Sequence, residues 1–200
     1  MGREEHGVPT ERIVTIPRGV DLQAFDPAAV SAERVEAVRA RWGIAGDKRL
    51  TLLLPGRLTE WKGQLVAIEA LGLMEVQELK GLVLVLAGDP QGRAAYVTKL
   101  EDAILAHKLG GTVLLAEHER DMLFVADHGG GRETVIEGET GARAEPGDPA
   151  ALAGAIRAIL DIGASARAGM GKAGQAHVRA HFSKQGLQAA TLNVYKRLLE

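Results

Sequence analysis

The segment Gly56-Arg57-Leu58-Thr59-Glu60-Trp61-Lys62-Gly63 places two cations five residues apart between an apolar run and a helix-like stretch. A glycine at such a junction lets another backbone or a phosphate approach closely. Amide N–H groups at a helix start, together with the helix dipole, favour an anion, and Arg57 and Lys62 would add two positive charges. Arg grips phosphate oxygens in bidentate fashion, whereas Lys acts as a compact point charge. The same residues also suit a solvated loop with two surface cations, so the segment alone leaves both readings open. A second set is Asp127-His128-Gly129-Gly130-Gly131-Arg132-Glu133-Thr134. Three successive glycines free the backbone for positive φ and can form an anion-binding nest. Thr134 stands where the dinucleotide fingerprint needs its last glycine, so that motif is not met. Glu133 either accepts hydrogen bonds from the loop's own amides or meets a ligand.

Other chemistries find little support. His177 and His181, four residues apart, could supply half a metal site, but no third ligand stands nearby and a solvated helix face explains them better. There is no Asp-x-Asp pair to hold a divalent metal against a diphosphate, and no nucleophile elbow. No metal and no cofactor is therefore expected.

The elements that must carry these residues follow from the apolar pattern. Leu50–Leu54, Leu82–Ala87, Thr112–Leu115 and Leu123–Ala126 are short apolar runs without alternation, the pattern of strands buried on both faces. Between them, Gly63–Leu79 carries Leu65, Ile68, Leu71 and Met74 on one helical face, and Ala95–Leu109 carries Val97, Leu100, Ile104 and Leu105. Helical patterns also cover Ala32–Trp42, Pro149–Ile162, Ala164–His181 and Lys184–Leu199, with Asp148-Pro149 and Ser183 as start signals. Arg12–Ile16 is expected to form a strand. Strands alternating with helices predict an α/β domain, Rossmann-like, with three α/β/α layers around a mainly parallel sheet. Such sheets bind ligands at the carboxyl ends of their strands. Pro55-Gly56-Arg57, Ala87-Gly88-Asp89 and Asp127–Gly131 fall there.

With 200 residues the chain can bury a sizeable core. Its 46% hydrophobic and 25% charged residues exclude wholesale disorder. A net charge of −2 argues against nucleic acid as a partner. The absence of cysteine removes disulfides and thiolate chemistry and suits a reducing, cytoplasmic compartment. No apolar run is long enough for a transmembrane segment.

In the order of its motifs the chain resembles the C-terminal, donor-binding half of a retaining family-4 glycosyltransferase (glycosyl transferases group 1) with the two-Rossmann GT-B fold. The resemblance runs from Arg12 to Leu199. It rests on Ile16-Pro17-Arg18-Gly19-Val20-Asp21 with Phe25, Pro55-Gly56-Arg57-Leu58 with Trp61-Lys62-Gly63, Leu86-Ala87-Gly88-Asp89 and His118–Met122. It continues through Asp127-His128-Gly129-Gly130 with Glu133-Thr134-Val135, Gly138-Glu139-Thr140-Gly141 and Pro146-Gly147-Asp148. What it implies is a UDP-, GDP- or other nucleotide-diphospho-sugar donor whose diphosphate is held by Gly56, Arg57 and Lys62. Gly88, Asp89, His118, Glu119 and Arg120 match nucleotide-binding loops, and Gly129, Gly130 and Glu133 match the glycine loop. The implied reaction moves the sugar, with retained anomeric configuration, to a saccharide or lipid-linked acceptor in polysaccharide or lipopolysaccharide biosynthesis. It would take place in the cytoplasm or at the inner membrane face.

Two departures from the family pattern matter. The N-terminal Rossmann domain is missing, residues 1–11 matching its end or the hinge after it and residues 12–200 the donor domain. A helix, a strand and a Glu-x7-Glu segment are also missing, because Asp121-Met122 runs straight into Leu123-Phe124. Joining two parallel strands normally takes a crossover of a dozen or more residues, so an internal omission is expected near 119–124, seen as a break between adjacent Cα atoms. The chain alone is expected to be inactive. A non-catalytic nucleotide- or anion-binding Rossmann module is the alternative.

Overall fold

A computed structural model of the chain describes Pro9 and residues 12–116 and 134–200. Three strands, β1 (Leu50–Pro55), β2 (Leu82–Ala87) and β3 (Val113–Ala116), lie parallel in that order, with Leu50 opposite Leu82 and Leu84 opposite Val113. The described helices are α1 (Ala32–Arg41), α2 (Gln64–Gly72), α3 (Val76–Leu79), α4 (Ala94–Ala106), α5 (Pro149–Asp161), α6 (Gly163–His181) and α7 (Lys184–Leu199).

The sheet is the middle layer because successive residues of a strand face opposite sides. Leu82, Leu84 and Leu86 turn to one side and meet Ile68 and Leu71 of α2, Leu100 of α4 and Ala153 of α5. Val83, Val85 and Ala87 turn to the other and meet Ile44 and Trp42, which follow α1. Each leucine or isoleucine fully withdrawn from water stabilises the fold by about 1.5–3 kcal/mol. All six residues of β2 are buried, as a doubly covered strand requires. β1 departs from that expectation, since Leu53 is exposed. Among the described residues β1 has a neighbour on one side only, which leaves part of its surface uncovered.

Caps and cross-links fix the helices. The Asp148 carboxylate accepts from the N–H groups of Ala150 and Ala151, with Pro149 in the first turn of α5, and Ser183 Oγ accepts from Gly186 N–H at the start of α7. Ser31 Oγ does the same for α1 through Arg34 N–H at 3.3 Å. Arg49 donates to the carbonyls of Leu82 and Gly111 and pairs with Asp47, tying the amino ends of the strands together. α5 and α6 meet at 108°, and no single helix among the described residues is long and apolar enough to cross a membrane.

Three expectations need correction. Arg12–Ile16 is not a strand: a strand needs a continuous backbone ladder, and among the described residues no ladder includes this stretch, leaving Val14 exposed. The segment joins the rest of the fold at Val20, whose N–H donates to the Phe182 carbonyl and whose carbonyl accepts from Lys184 N–H. The pattern over Gly63–Leu79 splits into α2 and α3, because the last turn of α2 tightens at Leu73, which donates to Ala70. In α4 Leu105 is exposed and Tyr96 takes a buried place instead. The expected break near 119–124 lies outside the described residues, as does the expected strand Leu123–Ala126.

Glu78 of α3 pairs with Arg157 of α5 at 2.7 Å, and Arg157 also donates to the Leu73 carbonyl. The guanidinium, helped by the Glu75 N–H, holds the Glu78 carboxyl below its usual value. A lowered carboxyl stabilises the fold above its unfolded value and loses that contribution as pH falls through the folded one. Glu78→Gln should therefore lower Tm by at most a few degrees at about pH 7, and the difference should shrink as pH falls below the ordinary carboxylate range and vanish once Glu78 is protonated in the fold as well. Thermal melts across that range check it, and a gap that widens toward acid would contradict the pairing.

Candidate functional site

The site assembles where the carboxyl ends of β1 and β2 nearly touch. Gly56 N–H donates to the Ala87 carbonyl at 2.9 Å, Leu58 N–H to the Asp89 carbonyl at 3.1 Å, and Gly88 N–H to the Ala116 carbonyl at 3.0 Å. These bonds carry the ladder one step past the strands, so the loop Gly56–Gly63 leaves β1 along a fixed path. Its next residues, Leu58 and Thr59, turn inward and are buried, whereas Arg57 and Trp61 face outward. Glu60–Lys62 forms one turn of 3-10 helix, and Gly63, with φ of 78°, redirects the chain into α2. A side chain at that angle would be strained.

No side chain caps α2 at its N-terminus. Its first amides and the positive end of its dipole therefore open toward the loop that carries Arg57 and Lys62. The Lys62 ammonium lies 4.4 Å, and the Arg57 guanidinium 5.6 Å, from the centroid of the Trp61 ring. Glu60, the acid within the same turn, is engaged by Lys99 of α4 at 3.2 Å. The result is a local excess of positive charge beside an uncapped helix start, an arrangement suited to a phosphate or diphosphate.

A buried polar link anchors this loop from below. Gln64, fully withdrawn from solvent, donates from Nε2 to the Arg57 carbonyl at 2.9 Å, and its Oε1 accepts from the Tyr96 hydroxyl at 3.2 Å. Burial pushes the Tyr96 phenol above its usual value, so it stays a protonated donor. Gln64 and Thr59 are the buried polar side chains of the described core, and both belong to this segment. Sequence reasoning missed Gln64 and Tyr96. The one available signal was a glutamine in the first turn of a helix whose other inward positions are apolar.

Of the expected residues, the structure brings together Gly56, Arg57, Lys62, Gly88 and Asp89. Asp89 is partly occupied locally: its carboxylate accepts from Gln91 N–H at 2.7 Å and shapes the turn after β2. His118, Glu119, Arg120, Gly129, Gly130 and Glu133 lie outside the described residues. His177 and His181 sit with ring centroids 4.8 Å apart on α6, and among the described residues no three metal-ligating side chains gather.

No family model matches the chain. A curated relative, the D-inositol 3-phosphate glycosyltransferase of Xylanimonas cellulosilytica, is 29% identical over 226 residues, taking in 95% of this chain and 52% of its own length. In the solved glycosyltransferase of Rickettsia africae, 24% identical, the fold superposes with a TM-score of 0.83 over 96% of this chain and 59% of that one. This chain is a glycosyltransferase homologue. Anabaena HepE, solved with UDP-glucose, shares the fold at 21% identity, with a TM-score of 0.76 over 95% of this chain and 59% of that one. The three parallel strands and their helices match these GT-B neighbours as a C-terminal half would. The homologue spans about half the length of its curated relative. The alignment to that relative is also longer than the stretch of this chain it takes in, so the relative holds residues with no counterpart here.

Proposed function

We propose that this chain is the donor-binding half of a glycosyltransferase and takes a nucleotide-diphospho-sugar at the carboxyl ends of β1 and β2. The observation that carries the reading is the pair Arg57 and Lys62 beside the uncapped start of α2. Sugar transfer leaves negative charge on a departing diphosphate, and preorganised cations stabilise that charge as it develops. Arg57 would grip the diphosphate oxygens, Lys62 would add a point charge, and the first amides of α2 would complete the cradle. Gly56 would let the ligand come close to the backbone, and Gly88 with Asp89 would form the adjoining nucleotide-binding turn. His118, Glu119 and Arg120 would serve the nucleotide, and Gly129, Gly130 and Glu133 the glycine loop. UDP is the natural first donor base to test, because a neighbour of the same fold was solved with UDP-glucose. Transfer with retained configuration to a saccharide or lipid-linked acceptor would need the other half, so the chain alone is inactive in this reading. Residues 1–11 would be the end of that half or the hinge, with residues 12–200 as the donor domain, shortened internally near 119–124.

Calorimetric titration of the chain with UDP and UDP-glucose tests the reading. Binding should occur below millimolar concentration, and Arg57→Ala and Lys62→Ala should each weaken it about tenfold. Affinity should also fall as salt rises. Absence of binding at millimolar ligand, or binding indifferent to both substitutions, would overturn it.

A further inference from the structure

Trp61 is large, apolar and 47% exposed, so the core does not explain its position. Both site cations instead lie within cation–π range of its ring, Lys62 at 4.4 Å and Arg57 at 5.6 Å. Two like charges held on one short loop repel, and without a counter-charge each would gain by swinging apart into water. The acid that could gather them, Glu60, is turned toward Lys99. The negative face of an indole is the remaining partner within the turn, and it attracts both cations without neutralising either. An anion arriving at α2 would then meet two charges already held against one ring and lose less side-chain freedom in collecting them.

We infer that Trp61 is a positioning residue of the diphosphate site, its indole gathering the Arg57 and Lys62 side chains before the ligand arrives. This role rests on the donor-site reading. It differs from a structural role because the ring is exposed and the fold should survive its loss.

The test uses the full chain with Trp61→Leu and Trp61→Phe. In ligand-free NMR spectra the Lys62 side-chain methylene protons should show an upfield ring-current shift that Leu removes and Phe keeps. In calorimetry, Trp61→Leu should raise the Kd for UDP about three- to tenfold, and Trp61→Phe should stay within about twofold of the parent, with Tm little changed in both. Missing ring-current shifts in the parent would overturn the inference. So would equal UDP affinity in the parent and Trp61→Leu, while leaving the donor-site reading intact. A parent that binds no UDP at millimolar concentration would instead end the donor-site reading and this role with it.

Discussion

Gly88→Ala should destabilise the fold by about 3 kcal/mol or more, lowering Tm on the order of 6–12 °C. A methyl carbon placed on Gly88 would stand 1.9 Å from the Gly56 carbonyl oxygen and 2.7 Å from its carbon. Both are backbone atoms and cannot rotate away. Relief would require β1 and β2 to part at their carboxyl ends, which breaks the bonds from Gly56 to Ala87 and from Leu58 to Asp89. The peptide of Arg57 follows immediately, so the same shift would displace a site cation, and UDP affinity should fall together with stability. Gly81→Ala is the control: nothing lies within 4 Å of a methyl there, and its cost should stay within about 0.5 kcal/mol. Urea unfolding of both variants with a shared m-value decides the matter. Equal costs at the two positions would show that the close approach of the strand ends is not what requires glycine at Gly88.

That close approach was half-legible in the sequence. The apolar runs ending in Pro55-Gly56 and Ala87-Gly88 mark strand ends, and a glycine at such an end implies that something comes close. Which neighbour comes close depends on register, and register is fixed only when Leu50 lies opposite Leu82 across the helices and turns that join the two strands. Local signals fared best where the chemistry is local. Asp148 and Ser183 cap the helices that follow them because each carboxylate or hydroxyl needs only the next few amides. Arg12–Ile16 failed because β-rich composition cannot by itself supply a neighbouring strand. The glycine loop and His118–Arg120 lie outside the described residues, so the legible part of the candidate site is the loop that carries Arg57 and Lys62. There the sequence named the two cations, and the structure adds their contacts: the Trp61 ring beside both and Gln64 on the Arg57 carbonyl.

Gln64 should prove costly to change although it touches no ligand. Gln64→Leu keeps the volume and removes both of its hydrogen bonds, leaving the Arg57 carbonyl and the Tyr96 hydroxyl without their partner beneath the loop. At about 1–3 kcal/mol for the stranded buried hydroxyl and about 1 kcal/mol for the partly buried carbonyl, the expected loss is about 2–4 kcal/mol. Tyr96→Phe removes one hydroxyl and leaves Gln64 Oε1 without it, for a loss of about 1 kcal/mol. The double variant strands only the Arg57 carbonyl, since the other two groups have gone together. Its cost should therefore fall short of the summed single costs by on the order of 1 kcal/mol. Urea unfolding of the four proteins measures that coupling, and strict additivity would mean that Tyr96 and Gln64 do not act as one link. The coupling also bears on the site, because the far end of the link is the peptide of Arg57. An apolar residue at Gln64 would fill the same space beneath the loop. It could not hold that carbonyl in place, and the guanidinium above it would lose the fixed base from which it reaches an anion.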